Sequence, residues 1–389
     1  MNPLQEIVKR RHIAGCLDCG KCSALCPVTR FHRTAYTSPR LLVERAFGGG
    51  AEAVFEDPLF WSCLTCCACS ELCPSGVEFV DFLREARALA RKENRHGPCT
   101  HGEVIQTWAR IMTDPQLRQN RLEWLSGDLK ISETADTVLF VGCLPLYDRF
   151  FEDLDFEGVS IARSAVRILN ALGIAPRLLA DERCCGHDQL WEGDLDTFKA
   201  LAELNCELLT TTGARRVVTA CPECARTLAR DYPALVGDHG LEVLHLTQLA
   251  AEAVVTGKLT LQRMQVPQAV TYQDPCRLGR HLGIYDPPRQ LIEQMGYRLL
   301  EMQPHPGAAD CCGTSCWTSC GADNRSLQTE RLGRAQEIGA GMMVTACAKC
   351  QVHFRCALRH ATGLERPVFD GDIRDITTLI ADRLPDAPG

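Results

Sequence analysis

The chain has 389 residues, a net charge of -7, an apolar fraction of 46% and 24 cysteines. That length supports two or three domains with their own cores, and so many thiols in so long a chain point to metal binding in a reduced compartment, because disulfide-dense scaffolds are usually short and secreted. The acidic balance and six tyrosines leave no basic stripe for nucleic acid, and no run reaches the ~20 apolar residues of a membrane span.

The opening Met1-Asn2-Pro3-Leu4-Gln5-Glu6 has no apolar signal core, so a cytoplasmic setting is expected, with any membrane contact made through a partner. Residues 1–95 form the first expected domain. Within it, Cys16-x2-Cys19-x2-Cys22-x3-Cys26-Pro27 and Cys63-x2-Cys66-x2-Cys69-x3-Cys73-Pro74 are two complete bacterial ferredoxin runs. Two-residue gaps let three thiolates from one tight loop reach three corners of a cubane, while the fourth cysteine turns toward the other cluster. The expected ligand sets are Cys16, Cys19, Cys22 and Cys73 for one 4Fe-4S cubane, and Cys63, Cys66, Cys69 and Cys26 for the other. Zinc also uses Cys-x2-Cys pairs, but the doubled four-cysteine run with its prolines favours iron. Cys67, inside the second run, breaks no spacing and reads as a small packed residue. A helix is expected over 80–90.

Asn94 to His101, with Gly97-Pro98, marks a boundary. Residues 96–135 read as a helical connector, with Val104, Trp108, Ile111 and Met112, then Leu122 and Leu125, at helical spacing. From Thr137 short β-branched runs alternate with longer amphipathic ones. In 136–262 the spacing predicts strands over 137–141, 177–179 and 216–219, and helices over 159–172, 195–211 and 222–231. In 263–389 it predicts strands over 269–272, 298–302 and 342–345, and helices over 288–295, 324–338 and 349–359. The fold expected is α+β overall: a helical ferredoxin-like domain followed by two homologous α/β domains of parallel strands in a pseudo-twofold arrangement. Cysteines then fall at the carboxyl ends of strands, where such folds gather ligand sites.

Those cysteines repeat. Cys143, Cys184, Cys185, Cys221 and Cys224 recur as Cys276, Cys311, Cys312, Cys347 and Cys350; Cys276 lies 133 residues after Cys143, and Cys350 lies 126 after Cys224. A repeated ligand set implies a repeated cofactor. Five thiolates are one more than a cubane uses, so an iron cluster of different shape is the natural inference. A disulfide between neighbours such as Cys184 and Cys185 is disfavoured by its geometry and by the compartment.

At Gly142-Cys143, Arg183-Cys184-Cys185-Gly186 and Ala220-Cys221-Pro222-Glu223-Cys224, and again at Asp274-Pro275-Cys276-Arg277-Leu278-Gly279-Arg280, Asp310-Cys311-Cys312-Gly313 and Ala346-Cys347-Ala348-Lys349-Cys350, the chain resembles the cysteine-rich (CCG) domains of the heterodisulfide reductase family. With the ferredoxin-like block ahead of them, it looks like a fusion of that family's electron-feeding subunit with its catalytic one. The resemblance implies that each five-cysteine set binds a noncubane 4Fe-4S cluster and that the two clusters face each other to split a disulfide. Ala348 replaces the Pro222 of the first copy, a change at a helix start that does not imply cluster loss.

His187, His281 and Lys349 lie near these cysteines as candidate proton donors, against a competing reading as packing residues. Cys316 and Cys320 read either as a redox pair or lent ligand, or as buried inert thiols, the latter favoured. Cys99, Cys206 and Cys356 have no partner spacing and receive no role. The chain has no Gly-x-Gly-x-x-Gly fingerprint and no haem attachment motif, so electrons are expected from a flavin-containing or cytochrome partner subunit. Three settings fit: an iron-sulfur subunit that itself reduces a small disulfide, a relay in a flavin-based electron-bifurcating complex of the aromatic acyl-CoA reductase type, and the iron-sulfur subunit of a glycolate or lactate oxidase.

Overall fold

The computed structural model describes residues 3–31, 36–303, 307–361 and 368–385. Helix α1 (Pro3–Arg10) packs on α2 (Phe79–Lys92), which encloses the expected 80–90. Arg11, just after α1, holds Glu78 at 2.9 Å and also pairs with Glu85 of α2, tying the start of the block to its end. Between these helices the two cysteine loops have the same backbone. Asp18 and Thr65, two residues after the first cysteine of each run, have φ of 53° and 47°; Gly20 and Cys67, one after the second cysteine, have 74° and 67°. Such left-handed residues curl a short loop so that its thiols converge, and a non-glycine there is strained. Cys67 therefore holds the position that Gly20 holds in the first loop.

The connector is helical only in its first third, at α3 (Val104–Ile111); Leu122 and Leu125 lie in turns. Pro115 follows Asp114 directly, and proline both lacks a donor and pushes its predecessor out of helical geometry.

The first duplicated half runs β1 (Thr137–Leu139), α4 (Gly158–Ala171), α5 (His187–Glu192), α6 (Leu195–Thr210), β2 (Arg216–Thr219), α7 (Pro222–Arg226), β3 (Glu242–His245) and α8 (Leu246–Val255). The second runs β4 (Ala269–Gln273), α9 (Asp286–Gln294), β5 (Arg298–Leu299), α10 (Ala322–Glu337), β6 (Met342–Thr345), α11 (Ala348–His360), β7 (Asp372–Asp375) and α12 (Ile376–Ala381). All strands are parallel, in the orders β1-β2-β3 and β5-β4-β6-β7. The expected strand over 177–179 reduces to one bridge between Arg177 and Val138, on the outer side of β1, and that over 298–302 to β5. Both are edge segments paired on one side, and both leave the sheet at once to carry a cysteine doublet. With that bridge included, the two sheets share one strand order. The pairs β3–α8 and β7–α12 were not legible, because Glu242-Val243-Leu244-His245 and Asp372-Ile373-Arg374-Asp375 lack a β-branched run.

The halves meet reciprocally: α4 packs on α12, and α8 on the corresponding α9. Exchange of equivalent elements in this way is the signature of a twofold relation. One apolar core spans both halves, a second joins the ferredoxin block to the first half, and a third joins Leu64, Cys66 and Ala68 to the second. No helix among the described residues is long and apolar enough to cross a membrane.

Candidate metal centres

The ferredoxin block gathers its eight run cysteines in two places. One pocket is lined by Cys16, Cys19, Cys22 and Cys73, and also by Cys69; Cys19 is exposed. Cys73, from the far run, accepts the Val77 N–H at 3.4 Å and lies 3.5 Å from Ser75 Oγ; although burial works the other way, these bonds hold its thiol below the ordinary value. The other place is interior. Burial pushes the Cys63 thiol up to about 12, with Cys26 and Cys66 close enough to add to the effect. Cys69 is raised by burial and then by Cys63, Cys66 and Cys26.

Each duplicated half brings its five cysteines together at the carboxyl ends of its strands, beside the strand pair where the winding direction reverses. Cys143 follows β1, and Cys221 caps α7. Cys143 Sγ lies 3.7 Å from Cys184 Sγ, and Cys224 Sγ 3.5 Å from Cys185 Sγ, with Cys221 also on Cys224. In the second half Cys276 contacts Cys311, and Cys350 contacts both Cys312 and Cys347. The approach is close: at Gly142, whose φ is 66°, a Cβ would stand 2.9 Å from Cys224 Sγ.

Such a nest cannot ionise as it stands. Its hydrogen bonds from neighbouring thiols hold Cys184 well below the ordinary value and Cys312 at about 6, while sulfur contacts and burial push Cys143, Cys185, Cys224, Cys276 and Cys350 well above it. Only a strongly cationic group among the sulfurs lets all five become thiolates. The donor set therefore fits iron-sulfur clusters.

Between the two nests lies a buried polar network. Lys349 Nζ bridges Asp188 at 2.5 Å and Glu223 at 2.8 Å, crossing from the second half to the first. His187, Asp188 and Glu223 have ligand-type atoms within 4.8 Å of one another, but the ammonium already supplies the cation there. Burial opposes the charge of Lys349, and the two carboxylates restore it to well above the ordinary range. Arg277 Nε donates to His187 Nε2 at 3.1 Å, and Arg277 Nη1 lies 2.6 Å from His281 Nε2. Burial and the guanidinium keep both imidazoles neutral, far below their ordinary basicity. The three candidate proton donors thus meet in one network, with Lys349 as its ammonium.

The leftover thiols are scattered. Cys316 is buried, 3.2 Å from Ser315 Oγ, and pushed up to about 12 by burial, with Asp188, Arg87 and Lys349 around it; Cys320 instead has Arg325 and Cys356 for neighbours. Their loop also carries Trp317, whose Nε1 donates to Tyr147 Oη at 2.9 Å, whose carbonyl accepts from the Thr100 N–H and hydroxyl at 2.8 Å, and whose ring lies 5.0 Å from that of His353. Cys99 and Cys206 donate to backbone carbonyls, of Gly97 and Gly237.

Several residues around the nests received no role from the sequence. Glu182 accepts the Val141 and Gly142 N–H groups at 3.0 and 2.7 Å, which pins the Cys143 loop, and burial raises its carboxyl to about 7. Arg87 of α2 donates to the carbonyls of Cys63 at 3.1 Å and Trp191 at 2.9 Å. Arg277 and Arg280 reach the Cys63–Cys66 loop from the second half. A sequence signal existed for the last two, since they stand one and four residues after Cys276.

A family of 4Fe-4S dicluster domains matches residues 12–77, and the cysteine-rich CCG family matches residues 137–229 and 270–355. These matches define an iron-sulfur protein in which a dicluster ferredoxin is fused to two CCG domains. Over the whole chain, the protein is similar to D-type subunits of heterodisulfide reductases. It is 26% identical to the D-type subunit of the dihydromethanophenazine:CoB–CoM heterodisulfide reductase of Methanosarcina barkeri, covering 97% of this chain and 95% of that one. It is 25% identical to the B-type subunit of the fumarate reductase (CoM/CoB) of Methanothermobacter marburgensis, over 90% of this chain and 68% of that one, and 25% identical to EtfAB:quinone oxidoreductase of Syntrophomonas wolfei, over 77% and 47%.

Proposed function

We propose that Cys16, Cys19, Cys22 and Cys73 hold one 4Fe-4S cubane, that Cys63, Cys66, Cys69 and Cys26 hold the other, and that Cys143, Cys184, Cys185, Cys221 and Cys224, and likewise Cys276, Cys311, Cys312, Cys347 and Cys350, each hold a noncubane 4Fe-4S cluster. The four segments are 1–95, 96–135, 136–262 and 263–389. On this reading the chain is the iron-sulfur subunit of a larger redox complex that reduces a small disulfide between its duplicated halves. When bound, the clusters supply one-electron transfer. The observation that carries the reading is the pair of five-thiol nests facing each other across the Lys349–Asp188–Glu223 bridge. The chain's own groups fix the charge of the site: Lys349 keeps an ammonium where a departing thiolate needs a cation or a proton. A flavin-containing or cytochrome subunit supplies the electrons, in keeping with a sequence that carries no dinucleotide fingerprint and no haem attachment motif.

The test is anaerobic oxidation of the chemically reduced, iron-loaded chain by low-molecular-weight disulfides. Turnover supports the reductase; no oxidation by any disulfide leaves the second reading, a relay to a separate catalytic subunit.

A further inference from the structure

The duplication is not electrically even. Leu144 and Tyr147 stand one and four residues after Cys143, where Arg277 and Arg280 stand after Cys276. Both arginines are buried. Arg277 Nη1 donates to the Thr65 carbonyl at 2.5 Å and Nη2 to Thr65 Oγ1 at 2.7 Å. Arg280 Nε donates to the Cys66 carbonyl at 2.5 Å and Nη1 to the Ala309 carbonyl at 2.7 Å, and its Nη2 has no acceptor among the described residues. These acceptors are all uncharged.

The carboxylates beside this nest are already taken. Asp274 is held by both Nη atoms of Arg289 at 2.8 Å, and Asp310 by Arg334 at 2.7 Å and Arg30 at 2.9 Å. Lys349 is shared between Asp188 and Glu223, and the negative charge left over in that pair lies within electrostatic reach of Arg277, whereas Arg280 has no such carboxylate beside it. At the first nest Arg121 faces Glu182 at 3.7 Å, and Arg183, beside Cys184, donates to the Leu117 carbonyl at 2.9 Å with Asp181 within electrostatic reach. A guanidinium does not give up its proton, so the Cys276 nest has two buried positive charges without a carboxylate at hydrogen-bond distance. In a low-dielectric interior such charges act strongly on their surroundings, and both arginines lie within electrostatic reach of Cys276 and Cys311.

We propose that Arg277 and Arg280 are tuning residues that make the centre held by Cys276, Cys311, Cys312, Cys347 and Cys350 more readily reduced than its twin held by Cys143, Cys184, Cys185, Cys221 and Cys224. Reduction adds one electron to a centre with no bond made or broken, and buried positive charge, above all that of Arg280 with no carboxylate beside it, stabilises the added negative charge. The inference rests on the reading that both nests hold clusters.

The test is an anaerobic redox titration of the full-length, iron-loaded chain with a one-electron chemical reductant, followed by electron paramagnetic resonance. Cys312→Ser and Cys185→Ser identify which signal belongs to which nest. The signal lost in Cys312→Ser is expected at the higher potential, and in Arg280→Gln it moves down toward its twin, while Arg280→Lys keeps most of the separation. Equal potentials in the unsubstituted chain, or the reverse order, overturn the proposal without any arginine variant. A chain that takes up no iron at either nest overturns the cluster reading and this proposal with it; a full iron complement with coincident potentials overturns this proposal alone.

Discussion

The two CCG halves share a strand order, a thiol nest and a reciprocal interface, yet they differ in what surrounds the sulfurs. The first pins its leading cysteine with Gly142, Glu182 and Arg121, a backbone clamp of balanced charge. The second has Pro275 at the position of Gly142 and sends two arginines from the same loop into the ferredoxin block. The comparison teaches that a duplicated template conserves what geometry demands, the thiols, and diverges where charge and neighbouring domains are set.

The strongest way to break the comparison is to remove a thiol from one half only. Cys185→Ser and Cys312→Ser should each lose roughly four of ~16 irons per chain, on the basis of four irons per cluster, with the ferredoxin-type signals intact. Loss of all iron together would mean that the halves do not load independently; iron analysis and electron paramagnetic resonance read the difference.

A smaller effect comes from the two equivalent helix caps. His245 starts α8 and Asp375 starts α12, each accepting the N–H two residues on. Burial holds His245 down at about 4, below its ordinary 6.5, so it stabilises the fold less and less as pH falls from about 6.5 to about 4. Burial holds Asp375 up at about 6, above its ordinary 3.8, so its contribution is present at low pH and is lost as pH rises from about 3.8 to about 6. Each spans on the order of 3 kcal/mol, and between pH 4 and 6 the two oppose. Other buried groups, Glu182, His187 and His281 among them, titrate in the same window, so the readout is a difference: relative to the parent, the melting temperature of His245→Gln should fall steadily as pH rises from about 4 to about 6.5, and a pH-independent difference would refute the assignment.

Gly142→Ala sharpens the comparison further, because its Cβ would meet Cys224 Sγ at 2.9 Å in a left-handed backbone. A loss of about 1–3 kcal/mol is expected, read by denaturant unfolding, together with a disturbed signal from the first centre alone. At the small end, Cys320→Ser should leave iron content and stability within about 0.5 kcal/mol of the parent. A larger change, or loss of iron, would make it a ligand.

The cysteine spacings were legible because ligand loops are local: each run or doublet is read within a few residues. The alternation of strands and helices was also legible, down to 342–345, which is β6 itself. What escaped was non-local. Arg277 meets Thr65 across 212 positions and His187 across 90, and no periodicity announces a buried arginine whose acceptors lie in other domains. The strands β3 and β7 escaped for a different reason: each is four residues long with charged or polar residues at both ends, too short for a pattern and without a β-branched run.

Trp317 sets a limit on how this molecule moves. Its indole and carbonyl are gripped by Tyr147 of one half and Thr100 of the connector, while its ring rests against His353 of its own half. The halves therefore cannot swing apart like a clamshell without first unseating that indole. Whatever exchanges electrons with the interior must do so across a closed seam, at a distance fixed by the resting architecture.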